Sequence, residues 1–315
     1  MATRSPTAGI GQINRMSSST TTDCLIIGAN GLVGRRVGDI LSRQSRPWIG
    51  TFHKRREKGL QKLDITDIQK LKEFISSYQP NVVFHCANLA GGVDFCEKRP
   101  DEAEVFHFTA TQQMGETCRK IGAVLVFIST DYVFDGMRSP YHEEDSPNPL
   151  NAYGALKLRA ENWIRKHLDR YVIARTTNVY GWDSQTVTPN FLMGAYRRIS
   201  KEEKIVVPSF LYGSPTCAED LARALVELYQ KNAKGLFHIV GPDFMDRYAW
   251  AGLAAKIFGW NVSLIQELKT PPAGMIPRPF SPRLDCRKFL SRFTTALRPP
   301  IEGMKRMKEE MKNLR

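Results

Sequence analysis

Short apolar runs recur along the first 180 residues of this 315-residue chain, each followed by a stretch with helical spacing. CLII (24–27) opens the series, and after a glycine-containing turn NGLVGRRVGDILSR (30–43) places its apolar residues on one helical face. WIGTF (48–52), NVVFHCA (81–87), AVLVFIST (123–130) and YVIARTT (171–177) are further runs of nearly unbroken apolar character. Between them lie DITDIQKLKEFISSY (64–78), residues 101–121 and LNAYGALKLRAENWIRKHL (150–168), each with amphipathic helical periodicity. A strand with one wet face alternates apolar and polar residues, whereas a strand buried on both faces does not. The pattern therefore predicts a doubly wound α/β fold, a parallel sheet with helices on both faces.

After about residue 178 the regularity loosens. Helical patterns recur at 188–200, 217–231 and 246–258, with a short strand at LFHIV (236–240). TPPAGMIPRPFSP (270–282) carries five prolines and reads as loop. This half predicts a smaller lobe laid across the carboxyl edge of the sheet, where open α/β sheets bind ligands.

Composition narrows the partners. Hydrophobic residues make up 42% and charged residues 24%, which excludes a disordered or fibrous chain. No uncharged apolar run approaches the ~18 residues of a membrane-spanning helix, so no membrane partner is expected. The net charge is +13, yet residues 1–22, 35–58 and 305–315 together carry +11 of it. Charge gathered in two termini and one patch is not the long basic groove that nucleic acid requires. A compact anionic ligand at the 35–58 patch fits it better. Cysteines at 24, 86, 96, 118, 217 and 286 form no CxxC pair, and the six histidines form no HxxxH or HExxH pattern. Reduced thiols and no metal site are the expectation. Residues 1–22 are polar, rich in Ser and Thr, and lack a secretory apolar core. They read as a disordered tail of a cytoplasmic protein, with a mitochondrial leader as the second choice.

Gly28, Gly31 and Gly34 follow the first strand directly and open the first helix. Gly28 allows a tight turn, Gly31 lets the backbone approach a pyrophosphate, and Gly34 permits close packing of helix on strand. The context marks a dinucleotide site, and with it a Rossmann-type sheet. NAD-binding forms place an acid at the end of the second strand to hold the ribose 2′-hydroxyl. Here that position holds His53, Lys54 and Arg55 in HKRR. Bases there attract a 2′-phosphate by charge-assisted hydrogen bonds, so NADP(H) is expected over NAD(H). Asp64 and Ile65, at the next chain reversal, are placed to flank the adenine.

Tyr153 and Lys157 stand four residues apart at the start of a predicted helix, on one face. A free phenol has a pKa near ~10, so acid–base work at neutral pH needs a shift of roughly 3 units, or about 4 kcal/mol. A neighbouring ammonium supplies part of it by favouring phenolate. Thr130 ends the preceding strand, where its hydroxyl can bond a reacting carbonyl.

These residues carry a resemblance. GANGLVG, LDITD (63–67), ISTDYVFDG (128–136) and PLNAYGALKLRAE (149–161) together resemble an extended short-chain dehydrogenase/reductase. STDYVFDG, RTTNVYG (175–181), SPTCAEDLA (214–222) and RPFSPRLDCRKF (278–289) narrow the likeness to the dTDP-4-dehydrorhamnose reductase family, over about residues 24–290. That resemblance implies a Rossmann domain at 23–177 and a mainly substrate-binding lobe at 178–300, some of whose strands and helices return to the first domain. A basic C-terminal helix follows at 301–315. It implies NAD(P)H-dependent reduction of the C4 ketone of a 4-keto-6-deoxy sugar nucleotide, with a homodimer as a compatible assembly. Thr130, Tyr153 and Lys157 become the catalytic residues and Asp131 a sugar contact. Asn30, Gly31, Leu32, Val33, Asp64, Ile65, Cys86, Ala87 and Val179 line the cofactor. Three positions depart from the family pattern. His107 stands where an Asn helps hold a water relay, Thr177 stands where proline is frequent, and HCANLAGGVD is one residue longer at the nicotinamide loop. The family also contains a non-catalytic branch, the NADP-binding regulatory β subunit of methionine adenosyltransferase. PYHEEDSPNPLNAYG (140–154), GLFHIVG (235–241) and LDC (284–286) resemble it too, and it docks by a C-terminal tail. Under that reading the partner is the methionine adenosyltransferase catalytic subunit, and MKRMKEEMKNLR is the docking helix; the plainer reading packs Met311 and Leu314 on the body.

Overall fold

The computed structural model describes residues 23–183 and 189–313. The tail expected at 1–22 and the contact expected of Leu314 lie outside the described residues. Seven parallel strands form the central sheet: β1 (Cys24–Ile27), β2 (Trp48–Phe52), β3 (Gln61–Lys62), β4 (Val82–His85), β5 (Val124–Thr130), β6 (Tyr171–Thr176) and β7 (Gly235–His238). Their order is β7-β6-β5-β4-β1-β2-β3, every pair parallel. The chain winds outward from β1 through β2 and β3, then crosses back to β4. That reversal opens a crevice at the carboxyl ends of β1 and β4.

Strand residues alternate between two apolar cores, which is why they read as unbroken runs. Cys24 and Ile26 enter one core while Leu25 and Ile27 enter the other. Val124 and Val126 follow the first pair, Leu125 and Phe127 the second. Helices Leu32–Arg43 and Ala218–Gln230 cover the first face; Ile68–Tyr78, Ala110–Ile121 and Ala152–His167 cover the second. Each fully buried side chain of this size contributes about 1.5–3 kcal/mol. The helix predicted over 101–121 is broken by a π-helical turn at Val105–Thr109, a feature frequent at functional sites.

The lobe is built from short pieces. Val179–Tyr180 pairs with Thr216–Cys217, Tyr212–Gly213 with Met245–Asp246, and Ile205–Pro208 with Ile265–Leu268. Helix Pro300–Asn313 sends Met304, Met307 and Met311 into a core shared with Tyr180 and Trp250. Its polar side is tied down by Arg306 to Glu219 at 2.8 Å and Glu310 to Arg36 at 2.6 Å. Glu143 is buried and accepts from the His238 amide at 2.9 Å.

Candidate active site

The glycine turn is built by close approach. Gly28 has a φ of +82°, and a Cβ there would lie 2.8 Å from the Cα of Ala87. A Cβ on Gly34 would lie 2.2 Å from the Gly28 carbonyl oxygen, so the helix rests directly on the turn. Gly31 is the N-cap of helix Leu32–Arg43, with no side-chain cap and no acid in the first turn. The first helical N–H groups stay open, at the positive end of the helix dipole. This cradle fits the diphosphate of a dinucleotide.

A cavity of about 1420 Å³ runs from this turn along the carboxyl edge of the sheet. Asn30, Leu32 and Val33 line it beside the turn, His53, Lys54 and Arg55 at the end of β2, and Asp64 and Ile65 after β3. Cys86 and Ala87 line it after β4, and Val179 from the lobe side. Gly34 stands behind the turn and acts by packing. The Asn30 amide donates to the Arg55 carbonyl at 2.9 Å, and the Arg55 guanidinium donates back to the Asn30 carbonyl at 3.0 Å, which ties the basic loop to the turn. His53 lies 3.3 Å from Asp64. The 35–58 patch is less free than its composition implies. Glu57 takes two bonds from Arg35, at 2.5 and 2.8 Å, and sits 3.5 Å from Arg55.

Thr130, Asp131, Tyr153 and Lys157 meet on the same cavity. Asn151 caps helix Ala152–His167 by accepting from the Gly154 amide at 2.9 Å, which fixes the first turn and hence Tyr153. Burial pushes the Tyr153 phenol above its ordinary pKa, while its hydrogen bond with Thr130 pulls the other way. The net direction is upward, opposite to the lowering expected from the YxxxK spacing. Lys157 is buried one turn on, donates to the Ile128 carbonyl at 2.9 Å and lies 4.6 Å over the Phe127 ring. Burial lowers it to about 8, with the Glu161 carboxylate opposing. Asp131 is pushed by burial up to about 6, against hydrogen bonds from Thr177 and Thr130. A proton donor, a cation and a hydroxyl thus converge where a carbonyl can sit.

Behind them lie two features. His107, carried inward by the π-helical turn, faces the Tyr153 ring edge-on at 5.3 Å. Burial lowers its pKa to about 2, so a neutral imidazole occupies the position. Glu161 and Arg175, both fully buried, pair at 2.6 Å, and Ser129 donates to Glu161 at 2.5 Å. Sequence reasoning missed the lobe wall of the cavity, where Asn178, Asn190, Phe191, Arg247 and Trp250 stand. The signal available was Asp246–Arg247, a capping acid followed by a cation at a helix start. Among the described residues no cluster of His, Cys, Asp and Glu could hold a metal ion. No described helix is long and apolar enough to cross a membrane.

A family model, the RmlD substrate binding domain, matches residues 22–313. The chain belongs to this family. Among RmlD-type relatives, the chain is 29% identical over 271 residues to methionine adenosyltransferase 2 subunit beta of Xenopus tropicalis, covering 84% of this chain and 80% of that one. It is also 29% identical over 261 residues to dTDP-4-dehydrorhamnose reductase of Escherichia coli K12, covering 79% of this chain and 85% of the enzyme. The Bacillus anthracis dTDP-4-dehydrorhamnose reductase, solved in complex with NADP, superposes with a TM-score of 0.82 at 28% identity, over 92% of this chain and 100% of that one. UDP-glucose 4-epimerase of Thermus thermophilus shares the fold, with a TM-score of 0.78 at 19% identity over 92% of this chain and 99% of that one. The RmlD-family fold is thus that of an extended short-chain dehydrogenase/reductase.

Proposed function

We propose that this chain is an NADPH-dependent reductase of the C4 ketone of a 4-keto-6-deoxy sugar nucleotide. The observation that carries the reading is the convergence of Thr130, Tyr153 and, one helical turn on, buried Lys157 on a cavity with a dinucleotide cradle at one end. The Gly28–Gly34 turn would hold the cofactor diphosphate, His53, Lys54 and Arg55 a 2′-phosphate, and Asp64 and Ile65 the adenine. When bound, a reduced nicotinamide supplies the hydride. Tyr153 donates its proton to the ketone oxygen as charge develops there. Lys157 stabilises the phenolate left behind, each pKa unit being worth about 1.4 kcal/mol. Thr130 donates a hydrogen bond to the carbonyl, and Asp131 holds a sugar hydroxyl. Burial raises the Tyr153 phenol, against the downward shift that acid–base work at neutral pH needs, so that lowering falls to Lys157 and the bound cofactor.

The test is NADPH oxidation at 340 nm with a dTDP-4-keto-6-deoxy sugar. Tyr153→Phe should abolish turnover while leaving NADPH affinity within a few-fold. Turnover retained in that variant removes Tyr153 as the acid.

A second reading rests on the equal identity to the methionine adenosyltransferase β subunits. Under it the same cradle binds NADP and the partner is the methionine adenosyltransferase catalytic subunit. NADPH binding without turnover, together with capture of that subunit in a pull-down, would establish it.

A further inference from the structure

The cavity meets anions at one end only through the glycine turn and its basic loop, and those groups are assigned to the cofactor. At the other end stands one more cation. Arg247 lines the lobe wall, donates to the Asn178 side-chain oxygen at 3.4 Å and lies 5.7 Å from the Phe191 ring centroid. Among the described residues no carboxylate comes within 4.0 Å of it. Its field reaches Asp131 and Tyr132, so it faces the reacting end of the cavity. The other cation near Tyr132, Arg278, is held by Asp94 at 2.8 Å.

Arg247 is also badly placed for stability. It is the first residue of helix Arg247–Phe258, where a cation opposes the helix dipole, and the cap itself is supplied by Asp246, which accepts from the Ala249 amide at 2.8 Å. Its partner Asn178 holds a left-handed φ of +47°, and Gly213 leaves room for the Asn178 side chain, since a Cβ there would lie 2.2 Å from its nitrogen. The surrounding wall, Phe191 and Trp250, is aromatic, and a charge contact made against such apolar surface is stronger than one in bulk water. A planar guanidinium matches two oxygens of a phosphate.

We infer that Arg247 is the lobe-side contact for the diphosphate of the nucleotide-linked substrate. The inference rests on reading this cavity as a sugar-nucleotide site, and it adds the residue that recognises the anion.

The test titrates dTDP into NADPH-loaded protein by calorimetry, in wild type, Arg247→Met and Arg247→Lys. Arg247→Met should weaken dTDP about 10- to 100-fold, as expected for a lost charge-assisted bidentate contact, and flatten the salt dependence. Arg247→Lys should fall between. NADPH affinity should stay within twofold in both, which reports an intact fold. With a 4-keto sugar nucleotide, the loss should appear in KM and leave kcat within a few-fold. Unchanged dTDP affinity in Arg247→Met, or no dTDP binding to wild type, overturns the inference. Wild-type turnover with an unchanged KM in Arg247→Met overturns it while the reductase reading stands; Arg247-dependent dTDP binding without turnover does the reverse.

Discussion

Gly34→Ala is expected to damage both stability and cofactor binding, and the size of the effect follows from one contact. The added Cβ would sit 2.2 Å from the Gly28 carbonyl oxygen, 2.9 Å from its carbonyl carbon and 3.0 Å from the Ala29 Cα. Ordinary contacts lie near ~3.5 Å, and the obstacle is backbone, so no side chain can rotate away. Helix Leu32–Arg43 must therefore retreat by about 1 Å. Overpacking of this kind costs about 3 kcal/mol at the upper end, offset by about 1 kcal/mol because alanine is the better helix former. The net loss of about 2 kcal/mol should lower Tm by on the order of 5 °C. The retreat also draws the open N–H groups away from the diphosphate, so NADPH affinity should fall at least tenfold. Gly252→Ala is the matched control: it is helical, and nothing lies within 4 Å of its added Cβ. It should raise stability by about 0.5–1 kcal/mol. Thermal melts and NADPH fluorescence titrations of the two variants decide the matter. A Gly34→Ala protein with wild-type Tm and unchanged NADPH affinity would refute the close-approach argument.

Three other outcomes are expected. Lys54→Ala with Arg55→Ala should weaken NADPH 10- to 100-fold, the worth of charge-assisted bonds to a 2′-phosphate, with little effect on NADH; equal losses would sink the 2′-phosphate assignment. Glu161→Gln should cost about 3–5 kcal/mol because it strands the fully buried Arg175 without a counterion, while Glu161→Gln with Arg175→Met should recover most of that in a denaturant melt. Lys157 has a folded pKa of about 8 against an ordinary 10.5, so the unfolded chain binds the extra proton between those values and this group's contribution to stability rises with pH across that window. Over the same window the cation is lost, so kcat/KM should fall above about pH 8; a flat profile to pH 9.5 would remove Lys157 as the charged partner of Tyr153.

The parts of the molecule legible in the sequence are those where one physical demand acts on several neighbouring residues. CLII and AVLVFIST read as strands because both of their faces are buried. The glycine turn reads as a cradle because two separate close approaches, at Gly28 and Gly34, each exclude a Cβ. The lobe resisted because Val179–Tyr180 and Thr216–Cys217 are two-residue strands, too short to show any period. The π-helical turn at Val105–Thr109 was hidden for a related reason, since one extra residue per turn leaves the apolar pattern on both sides intact. The strand in LFHIV joins the central sheet beside β6, a long-range pairing that no local pattern encodes. Arg247 escaped because its meaning depends on Asn178 and Phe191, far away in the chain.

The reductase and regulatory readings share one end of the cavity and part at the other. Both need the glycine cradle and the basic loop, and both families of relatives match at 29% identity, so cofactor binding alone favours neither. What separates them is use of the lobe end and of the C-terminal helix. That helix has already committed its apolar stripe, Met304, Met307 and Met311, to the core around Tyr180 and Trp250. A partner docking on residues 300–313 would have to grip the charged side, where Arg306 and Glu310 are themselves engaged with Glu219 and Arg36. The lobe end, by contrast, keeps a cation with no carboxylate contact among the described residues, aimed into the same cavity as Tyr153. An arrangement that spends its tail on internal packing and holds a charged group toward the reacting centre is the one a second small ligand requires.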